Sequence, residues 1–393
     1  MTKKALLLCS SHNDLGLVKA LRKLGYYIIV TGNKSGLIGQ RWCDEFIKAD
    51  YSDKELILSI ARSNEINAIC QCCNDLGVYT AAYVAEQMGL PGYDSYETTL
   101  LLHNKDRFKE YAKRHNITSP MSMAFSNEEN ALEYAETADY PIIIKPTDCS
   151  AGNGISKVNN KESALSAIKY AFNKSRVGRI VIERYVMGTQ HGFCTFLIDQ
   201  KVVAICSNNE YSILNPFRVE IDTYPADNYE IVKDALIQQI ELIAKDLKLK
   251  DGIFHLQYIF DGRYPQIIEV MRRILGNMYH VPGNMLTGID WEYWETRARC
   301  GLPLDDFPSK VSQEGYYAYK AIMAEKEGIF YGINIPKEYA PYLYDTYLIR
   351  EKGYQVDDFK SDPMGFMFFM FDNFTNMKDV LLNNYSNKIA IIK

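Results

Sequence analysis

The stretch YPIIIKPTDCSAGNGISKV, residues 140–158, is the part of this sequence that says most about its fold. The apolar run before Lys145 predicts a buried strand that ends at the lysine, and a proline and a glycine-bearing loop follow directly. Gly152 and Gly154 would let this loop approach an oxyanion closely, with backbone N–H groups around phosphate oxygens and the lysine supplying positive charge. Many strand-to-helix turns contain such residues, so the stretch needs support from the rest of the chain.

Upstream of this stretch, apolar runs alternate with segments of helical spacing, beginning with KALLLC at 4–9, LGLVKALRKLG at 15–25 and YYIIV at 26–30. This alternation predicts a parallel sheet covered by helices, with a crevice at the carboxyl ends of the strands. Polar residues fall at these ends, where helix capping explains them at least as well as ligand contact does. They are Ser10, Ser11, Asn74 and Asp75.

The first strand is followed by CSSHNDLG, which lacks the G-x-G-x-x-G of a dinucleotide site. An oxidoreductase built on this region is the least favoured of three hypotheses for the chain.

Downstream, the segment GIFHLQYIFDGRYPQIIEVM, residues 252–271, predicts a β-hairpin with an Asp-Gly turn. Gln257 and Glu269 lie on its two strands and can face one side, and Mg²⁺ accepts amide and carboxylate oxygens as ligands. Glu269 follows two isoleucines, and a carboxylate beside apolar neighbours usually has a cation as partner. A salt bridge to Arg272 or Arg273 explains Glu269 equally well.

Length and composition restrict the class of protein. The 393 residues predict two or three domains, and 47% hydrophobic with 24% charged residues is typical of a folded, soluble chain. A formal net charge of −5 disfavours nucleic acid as a partner. The nine cysteines are scattered, as in reduced proteins, and the sequence shows no signal peptide and no spanning apolar segment. We therefore expect a cytoplasmic protein without a membrane partner.

Taken in order, these elements resemble those of the ATP-grasp superfamily. The use of a glutamine before the final glutamate is similar to the metal pair of the carbamoyl-phosphate synthetase large subunit. The resemblance covers nearly the whole chain. It implies an α/β and α+β multidomain protein with an ATP-grasp fold. A Rossmann-like parallel-sheet domain is expected at 1–103, a nucleotide domain at 104–305 with a hinge near 183–188, and a small C-terminal domain at 306–393.

The resemblance also implies which residues contact ATP. Lys105 in HNKDRFKEYAKRHNI would join Lys145 at the phosphates, and the lid at 148–158 would close over them. Glu183 in VIERYVMG would bind the adenine amino group, and Gln190 stands where the family usually has a ribose-binding glutamate. The full set is Lys105, Lys145, Ala151, Gly152, Asn153, Gly154, Glu183, Tyr185, Val186 and Gln190.

The metal pair in this resemblance is Gln257 and Glu269, with Mg²⁺ or Mn²⁺ as the ion. The family's closing motif, Glu-x-Asn-Pro-Arg, stands here as EVMRR at 269–273. Met271 therefore replaces an asparagine that ordinarily supplies an oxygen to a second Mg²⁺, and a thioether is a poor ligand for so hard a cation.

The activity that the resemblance implies is an ATP-dependent ligation of a small carboxylate to an amine, amino acids among them, through an acyl phosphate. Arg273 would stabilise the transferred phosphoryl group. Arg218 in NPFRVEID would anchor the substrate carboxylate, although a surface arginine on a strand explains it better, since most arginines are exposed. A regulatory ATP-binding protein without fast turnover is the alternative, and a homodimer is one open assembly.

Overall fold

The strands and helices follow the alternation expected from the sequence. A computed structural model of the chain describes residues 2–149 and 152–393. The helices in this described part are α1 Leu15–Lys23, α2 Lys54–Ser63, α3 Asp75–Met88, α4 Tyr96–His103, α5 Lys105–Arg114, α6 Glu128–Glu136, α7 Ala164–Lys174, α8 Tyr229–Asp246, α9 His280–Thr287, α10 Trp291–Arg299 and α11 Phe374–Lys378.

The strands in the same residues are β1 Lys4–Leu8, β2 Tyr27–Gly32, β3 Glu45–Lys48, β4 Ala68–Cys70, β5 Ser122–Phe125, β6 Ile142–Pro146, β7 Ser156–Val158, β8 Ile180–Arg184, β9 Thr189–Ile198, β10 Lys201–Tyr211, β11 Ile221–Tyr224, β12 Gly252–Phe260, β13 Pro265–Met271, β14 Tyr316–Ile322, β15 Gly328–Ile333, β16 Leu343–Leu348, β17 Gln355–Val356, β18 Gly365–Phe371 and β19 Ala390–Ile392.

The first sheet is parallel, in the order β3-β2-β1-β4, as the sequence predicts. Its strands are apolar along their length because both faces are covered. Leu6 and Ile29 pack on one face with α2 and α3, whereas Leu7 and Val30 pack on the other with α1 and α10. The second of these cores continues into the large sheet through Phe196, so the two parts of the chain share one hydrophobic interior.

The IIIKP run forms strand β6 of a small antiparallel sheet, whose strand order is β5-β8-β6-β7. Helices α6 and α7 cover one of its faces with alanines and isoleucines. Lys145 lies near the end of β6 and Glu183 near the end of β8, and Lys145 pairs with Val181 and Ile143 with Glu183. The loop between β6 and β7 is the predicted lid.

The large sheet has eight strands in the order β13-β12-β9-β10-β11-β14-β18-β16. Helices α5 and α8 pack on the back face of β9, β12 and β13, and the opposite face is called the front face below. The C-terminal strands β14, β16 and β18 extend this same sheet. They join it because β11 pairs directly with β14.

The remaining strands form a small sheet, β17-β15-β19, at the C-terminal end. Within residues 2–149 and 152–393, no helix combines the length and apolarity that crossing a membrane requires.

Candidate functional site

The β12–β13 hairpin brings Gln257 and Glu269 together on the front face. The two residues are direct partners in the antiparallel ladder, and a β-bulge follows them, so that Tyr258 pairs with Ile267. Ile267 and Val270 both pack in the core behind the sheet, although an odd number of positions separates them. The bulge therefore turns Glu269 out of that core and beside Gln257, a known use of bulges next to functional sites.

Lys105, the first residue of α5, links this hairpin to the lid. Its Nζ lies 2.9 Å from Glu269 Oε1 and donates to the backbone oxygen of Cys149 at 2.8 Å. Burial alone would lower the pKa of Lys105, but the charge and hydrogen bond of Glu269, together with the charges of Asp75 and Glu183, raise it. Lys105 is therefore a fixed cation at the junction of hairpin and lid, and Glu269 pairs with it rather than with Arg272 or Arg273.

Lys145 belongs to a second group of charges centred on Glu183. Lys145 Nζ lies 2.9 Å from Glu183 Oε2, and Lys109 Nζ lies 3.7 Å from Glu183 Oε1. Burial would raise the pKa of Glu183, but these two lysines lower it instead. The carboxylate is 4% exposed and faces the two lysines. Its contact with an adenine amino group stays a prediction.

Lys109 was not singled out from the sequence, although its spacing of four from Lys105 places both lysines on one face of α5. Its Nζ also donates to Ser119 Oγ at 2.8 Å and to the backbone oxygen of Ile267 at 3.2 Å. Burial lowers the pKa of Lys109 to about 8, against the opposing charge of Glu183.

The partner of Arg273 is Asp75, the first residue of α3, which follows strand β4 of the first sheet. Arg273 Nε donates to Asp75 Oδ1 at 2.8 Å, and His103 Nδ1 lies 3.2 Å from the same oxygen. Burial would raise the pKa of Asp75, but the charges and hydrogen bonds of Arg273 and His103 together hold it well below its usual range. Helix α3 is capped by Asn74, which accepts from the backbone N–H of Leu76, so Asp75 is available for this pairing.

The described part of the lid lies against the loop at 212–219. Gly152 has φ +75°, and a Cβ at this position would lie 2.4 Å from the backbone oxygen of Phe217. Gly154 is buried with φ +79°, and a Cβ there would lie 2.6 Å from Pro146 Cγ. Asn153 between them is exposed. Ala151, also expected to contact ATP, lies outside the described residues.

Arg218 follows Phe217 in that loop, next to the lid. It is half-buried, and its guanidinium makes no hydrogen bond or ion pair within residues 2–149 and 152–393. The loop is held in place by neighbouring contacts, since Tyr279 OH donates to the backbone oxygen of Val219 at 2.9 Å.

A cavity of about 620 Å³ opens between the hinge, the end of β10 and the C-terminal segment. Its lining includes Gln190, Glu210, Ile213 and Tyr385. At the hinge itself, the backbone N–H of Tyr185 donates to the oxygen of Pro141 at 3.1 Å. Val186 follows Tyr185 and is half-buried.

Glu210 connects this cavity with the metal pair, and sequence reasoning missed it. Gln257 Nε2 lies 3.0 and 2.8 Å from its two oxygens, and Gln190 Nε2 lies 2.6 Å from Oε2. Burial raises the pKa of Glu210, and the charge of Glu269 adds to this. A signal was present in the sequence, because the polar run SNNEY at 207–211 directly follows the apolar run VVAIC at 202–206.

The residues at the hairpin fit a magnesium ion. The amide and carboxylate of Gln257 and Glu269 are hard oxygen donors on one face of the sheet, and the protein side of a Mg²⁺–phosphate site often has one or two carboxylates. No group of three or more His, Cys, Asp or Glu side chains arranged for a metal occurs in residues 2–149 and 152–393. Phosphate oxygens and water would therefore complete the coordination.

Two side chains beside this pair cannot add a ligand of the usual kind. Met271 lies two positions beyond Glu269 and pairs with His255 across the hairpin. Burial and the charge of Arg273 lower the pKa of His255 to about 3. The imidazole is therefore neutral near pH 7 and too weak a base for general base catalysis. As a ligand it offers nitrogen, whereas Mg²⁺ prefers oxygen.

Comparison with known proteins shows the family to which the chain belongs. The model of the carbamoyl-phosphate synthase L chain, ATP binding domain, matches residues 104–307, which is just over half of the chain. The chain belongs to this family of the ATP-grasp superfamily, as its motifs indicated.

A curated relative is the carbamoyl phosphate synthase large chain of Clostridium acetobutylicum, which is 25% identical over 268 residues. The match covers 65% of this chain and 24% of that protein. The chain spans 24–30% of the length of the Clostridium large chains that it matches, or less than a third.

Solved structures show the same fold along the chain. An L-amino acid ligase from Bacillus licheniformis superposes with a TM-score of 0.84 at 17% identity, covering 100% of this chain and 99% of that one. The biotin carboxylase domain dimer of 2-oxoglutarate carboxylase from Hydrogenobacter thermophilus, in complex with MgADP, gives 0.76 at 19% identity, covering 94% and 87%.

Proposed function

We propose that this chain is an ATP-dependent carboxylate–amine ligase that works through an acyl phosphate and releases ADP and phosphate. The observation that carries the proposal is the contact of Lys105 with both Glu269 and the backbone oxygen of Cys149. The contact supports the proposal because a buried cation, Glu269 and the residue before the glycine-bearing loop lie together, as transfer of a phosphoryl group would require.

In this proposal the two lysines neutralise the phosphates of ATP from opposite sides. Lys105 reaches them from α5 and Lys145 from β6. Glu183 holds Lys145 in place through an ion pair of 2.9 Å. The lid closes over the phosphates with Gly152 against the oxygen of Phe217, and this contact leaves no room for a side chain. Exclusion of water protects an acyl phosphate from hydrolysis.

Gln257 and Glu269 would hold Mg²⁺ at the hairpin. When bound, Mg²⁺ neutralises charge on the phosphate oxygens and helps to align the phosphoryl group for transfer. Arg273 is fixed by Asp75 at 2.8 Å and supplies further positive charge to the transferred group.

The reaction needs no nucleophile from the protein. An oxygen of the substrate carboxylate attacks the γ-phosphorus of ATP, and the bond to the β–γ bridging oxygen breaks to release ADP. The amine then attacks the acyl carbon, the phosphate leaves with the carboxylate oxygen, and the amine nitrogen loses a proton. Arg218 would anchor the substrate carboxylate beside the lid, since its guanidinium is half-buried and has planar, bidentate donors.

Amino acids are the first substrates to try, because a solved structure of the same fold carries the name L-amino acid ligase. The proposal also includes the domain boundaries at 103/104 and 305/306, a cytoplasmic location and a homodimer. A dimer has been seen for the biotin carboxylase domain that shares this fold. Sedimentation velocity over a range of protein concentrations would test the dimer.

A regulatory ATP-binding protein of the same fold is the second candidate, and Met271 is the observation that favours it. Beside Glu269, at a front-face position, this residue offers sulfur where a hard cation prefers oxygen. Nucleotide would then bind without fast turnover.

The two candidates are separated by ADP formation against a panel of amino acids and amines, measured together with nucleotide binding by calorimetry. The ligase proposal predicts release of ADP that depends on one acid–amine pair. Intact Mg-ATP binding without stimulation by any pair would favour the regulatory protein and reject the ligase.

A further inference from the structure

Glu210 on β10 takes hydrogen bonds from two glutamine side chains that the proposed function uses for different tasks. Gln257 Nε2 donates to both oxygens, at 3.0 and 2.8 Å, and belongs to the metal pair. Gln190 Nε2 donates to Oε2 at 2.6 Å and lines the cavity at the hinge. One half-buried carboxylate thus contacts both ends of the proposed nucleotide site.

The reach of Gln257 depends on the strand between it and Glu210. Strand β9 lies between β12 and β10, and Gln257, Gly192 and Asn208 are register partners across the three strands. Two strand spacings come to roughly 9.6 Å. Gly192 has no side chain, and a Cβ there would lie 2.4 Å from Asn208 Oδ1. The side chain of Asn208 takes part of the space that the glycine leaves on the front face, and Gln257 reaches Glu210 across the same strand.

Hydrogen-bond chemistry then decides which way the amides point. An ionised carboxylate only accepts hydrogen bonds, so each glutamine must turn its NH₂ group toward Glu210. The amide oxygen of each glutamine is directed to the other side. For Gln257 that side is the side of its ladder partner Glu269, since β13 and β10 lie on opposite sides of β12 in the sheet order.

We propose that Glu210 is a positioning residue that orients the amide of Gln257 with its oxygen toward Glu269 and holds Gln190 at the hinge cavity. It thereby links metal binding at the hairpin to nucleotide binding at the hinge. This inference rests on the proposed function, because it assumes that the two sites take Mg²⁺ and a nucleotide. Residues that orient a metal ligand typically change metal affinity about 10- to 100-fold when they are replaced.

The pattern of donors makes an exchange of side chains informative. In Gln190→Glu, two carboxylates would face each other at the position of a 2.6 Å hydrogen bond and repel. In Glu210→Gln, an NH₂ group replaces one of the two accepting oxygens, so at least one glutamine faces a donor and must turn over. In the double variant, the amide at 210 donates to the carboxylate at 190 and still accepts from Gln257. The double exchange therefore restores the orientation of Gln257.

The experiment measures ADP binding by calorimetry with and without Mg²⁺ for the wild type, Glu210→Ala, both single exchanges and the double exchange. The readout is the factor by which Mg²⁺ strengthens ADP binding. We expect Glu210→Ala and both single exchanges to lose about 10- to 100-fold of this factor. The double exchange is expected to return to within a few-fold of the wild type. The control is Glu241→Gln. Glu241 lies on α8, and its carboxylate accepts from Lys201 and Val202 at the other end of strand β10, away from Glu210.

Unchanged Mg²⁺ dependence in Glu210→Ala, or a double exchange no better than the singles, would overturn the positioning role. If Glu210→Ala does not fold, the exchange series decides the question. A wild type that binds no ADP under either condition would instead reject the proposed function, and this inference with it.

Discussion

Lys105 on α5 and Glu269 on β13 form an ion pair of 2.9 Å, although 164 positions separate them in the chain. The pair is partly buried, with the lysine 8% and the glutamate 25% exposed. Since Lys105 also donates to the oxygen of Cys149 at the start of the lid, the contact fixes a cation beside the pair Gln257 and Glu269.

Replacing Glu269 by alanine should abolish Mg²⁺-dependent turnover and leave the fold intact. The carboxylate is the only charged oxygen donor of the proposed metal pair, and loss of transition-state charge stabilisation costs about 10²–10³-fold in kcat. Turnover across a Mg²⁺ titration measures the effect, and circular dichroism monitors the fold. Glu97→Ala, at a surface ion pair with Arg107, is the matched control. Near-normal activity in Glu269→Ala would refute the metal role.

Replacing Met271 by asparagine should strengthen Mg²⁺ binding or turnover. Met271 lies two positions beyond Glu269, where an amide oxygen would add a hard ligand that the thioether does not provide. The Mg²⁺ concentration for half-maximal activity is expected to fall several-fold. Met121→Asn, at a position 73% exposed, controls for the change of residue type. If neither Mg²⁺ affinity nor turnover moves, Met271 does not lie at a metal site.

Replacing Arg218 by lysine should raise the KM for the carboxylate substrate about tenfold and leave ADP affinity unchanged. Lysine keeps the charge but loses the planar pair of donors that matches a carboxylate. Steady-state kinetics with a stimulating acid and calorimetry with ADP give the two values. Arg263→Lys, at the exposed hairpin turn, is the control. A KM equal to that of the wild type would show that Arg218 does not bind the substrate carboxylate.

Replacing Lys109 by methionine should change how stability depends on pH. Burial lowers the pKa of Lys109 from 10.5 to about 8, so between these values the unfolded chain binds this proton more than the folded protein does. Stability from this group therefore rises with pH in that range, by about 3 kcal/mol at most. The variant should lose this rise.

Urea unfolding at several pH values from 8 to 9.5 would measure the difference between wild type and Lys109→Met. Lys113→Met changes an exposed lysine of the same helix and should leave the slope unchanged. Parallel curves for the wild type and Lys109→Met would show that Lys109 titrates in an ordinary way.

The sequence patterns predicted the parallel sheet, the hairpin and the facing pair Gln257 and Glu269. The bulge could not be predicted, because strict alternation from the core residue Ile267 would place Glu269 in the core as well. The structure inserts Ile268 as an extra residue and turns Glu269 to the front face. A bulge is decided by the packing of both strands, so one strand's pattern does not contain it.

The contacts of Glu210 and Lys109 could not be predicted from the sequence for a related reason. Each acts through partners far away in the chain, since Gln257 is 47 positions from Glu210 and Ile267 is 158 positions from Lys109. The continuity of the C-terminal strands with the central sheet was missed too, because it depends on the pairing of β11 with β14 across the whole of α8 to α10. Such contacts are set by topology, which local periodicity does not report.

The acyl phosphate is tested most directly by following oxygen from the substrate. With an acid and an amine that stimulate ADP release, the carboxylate is labelled with ¹⁸O and the released phosphate is examined by ³¹P NMR. The mechanism predicts one carboxylate oxygen in the phosphate for each product formed. Unlabelled phosphate, or ¹⁸O in AMP, would contradict transfer of the γ-phosphoryl group to the carboxylate.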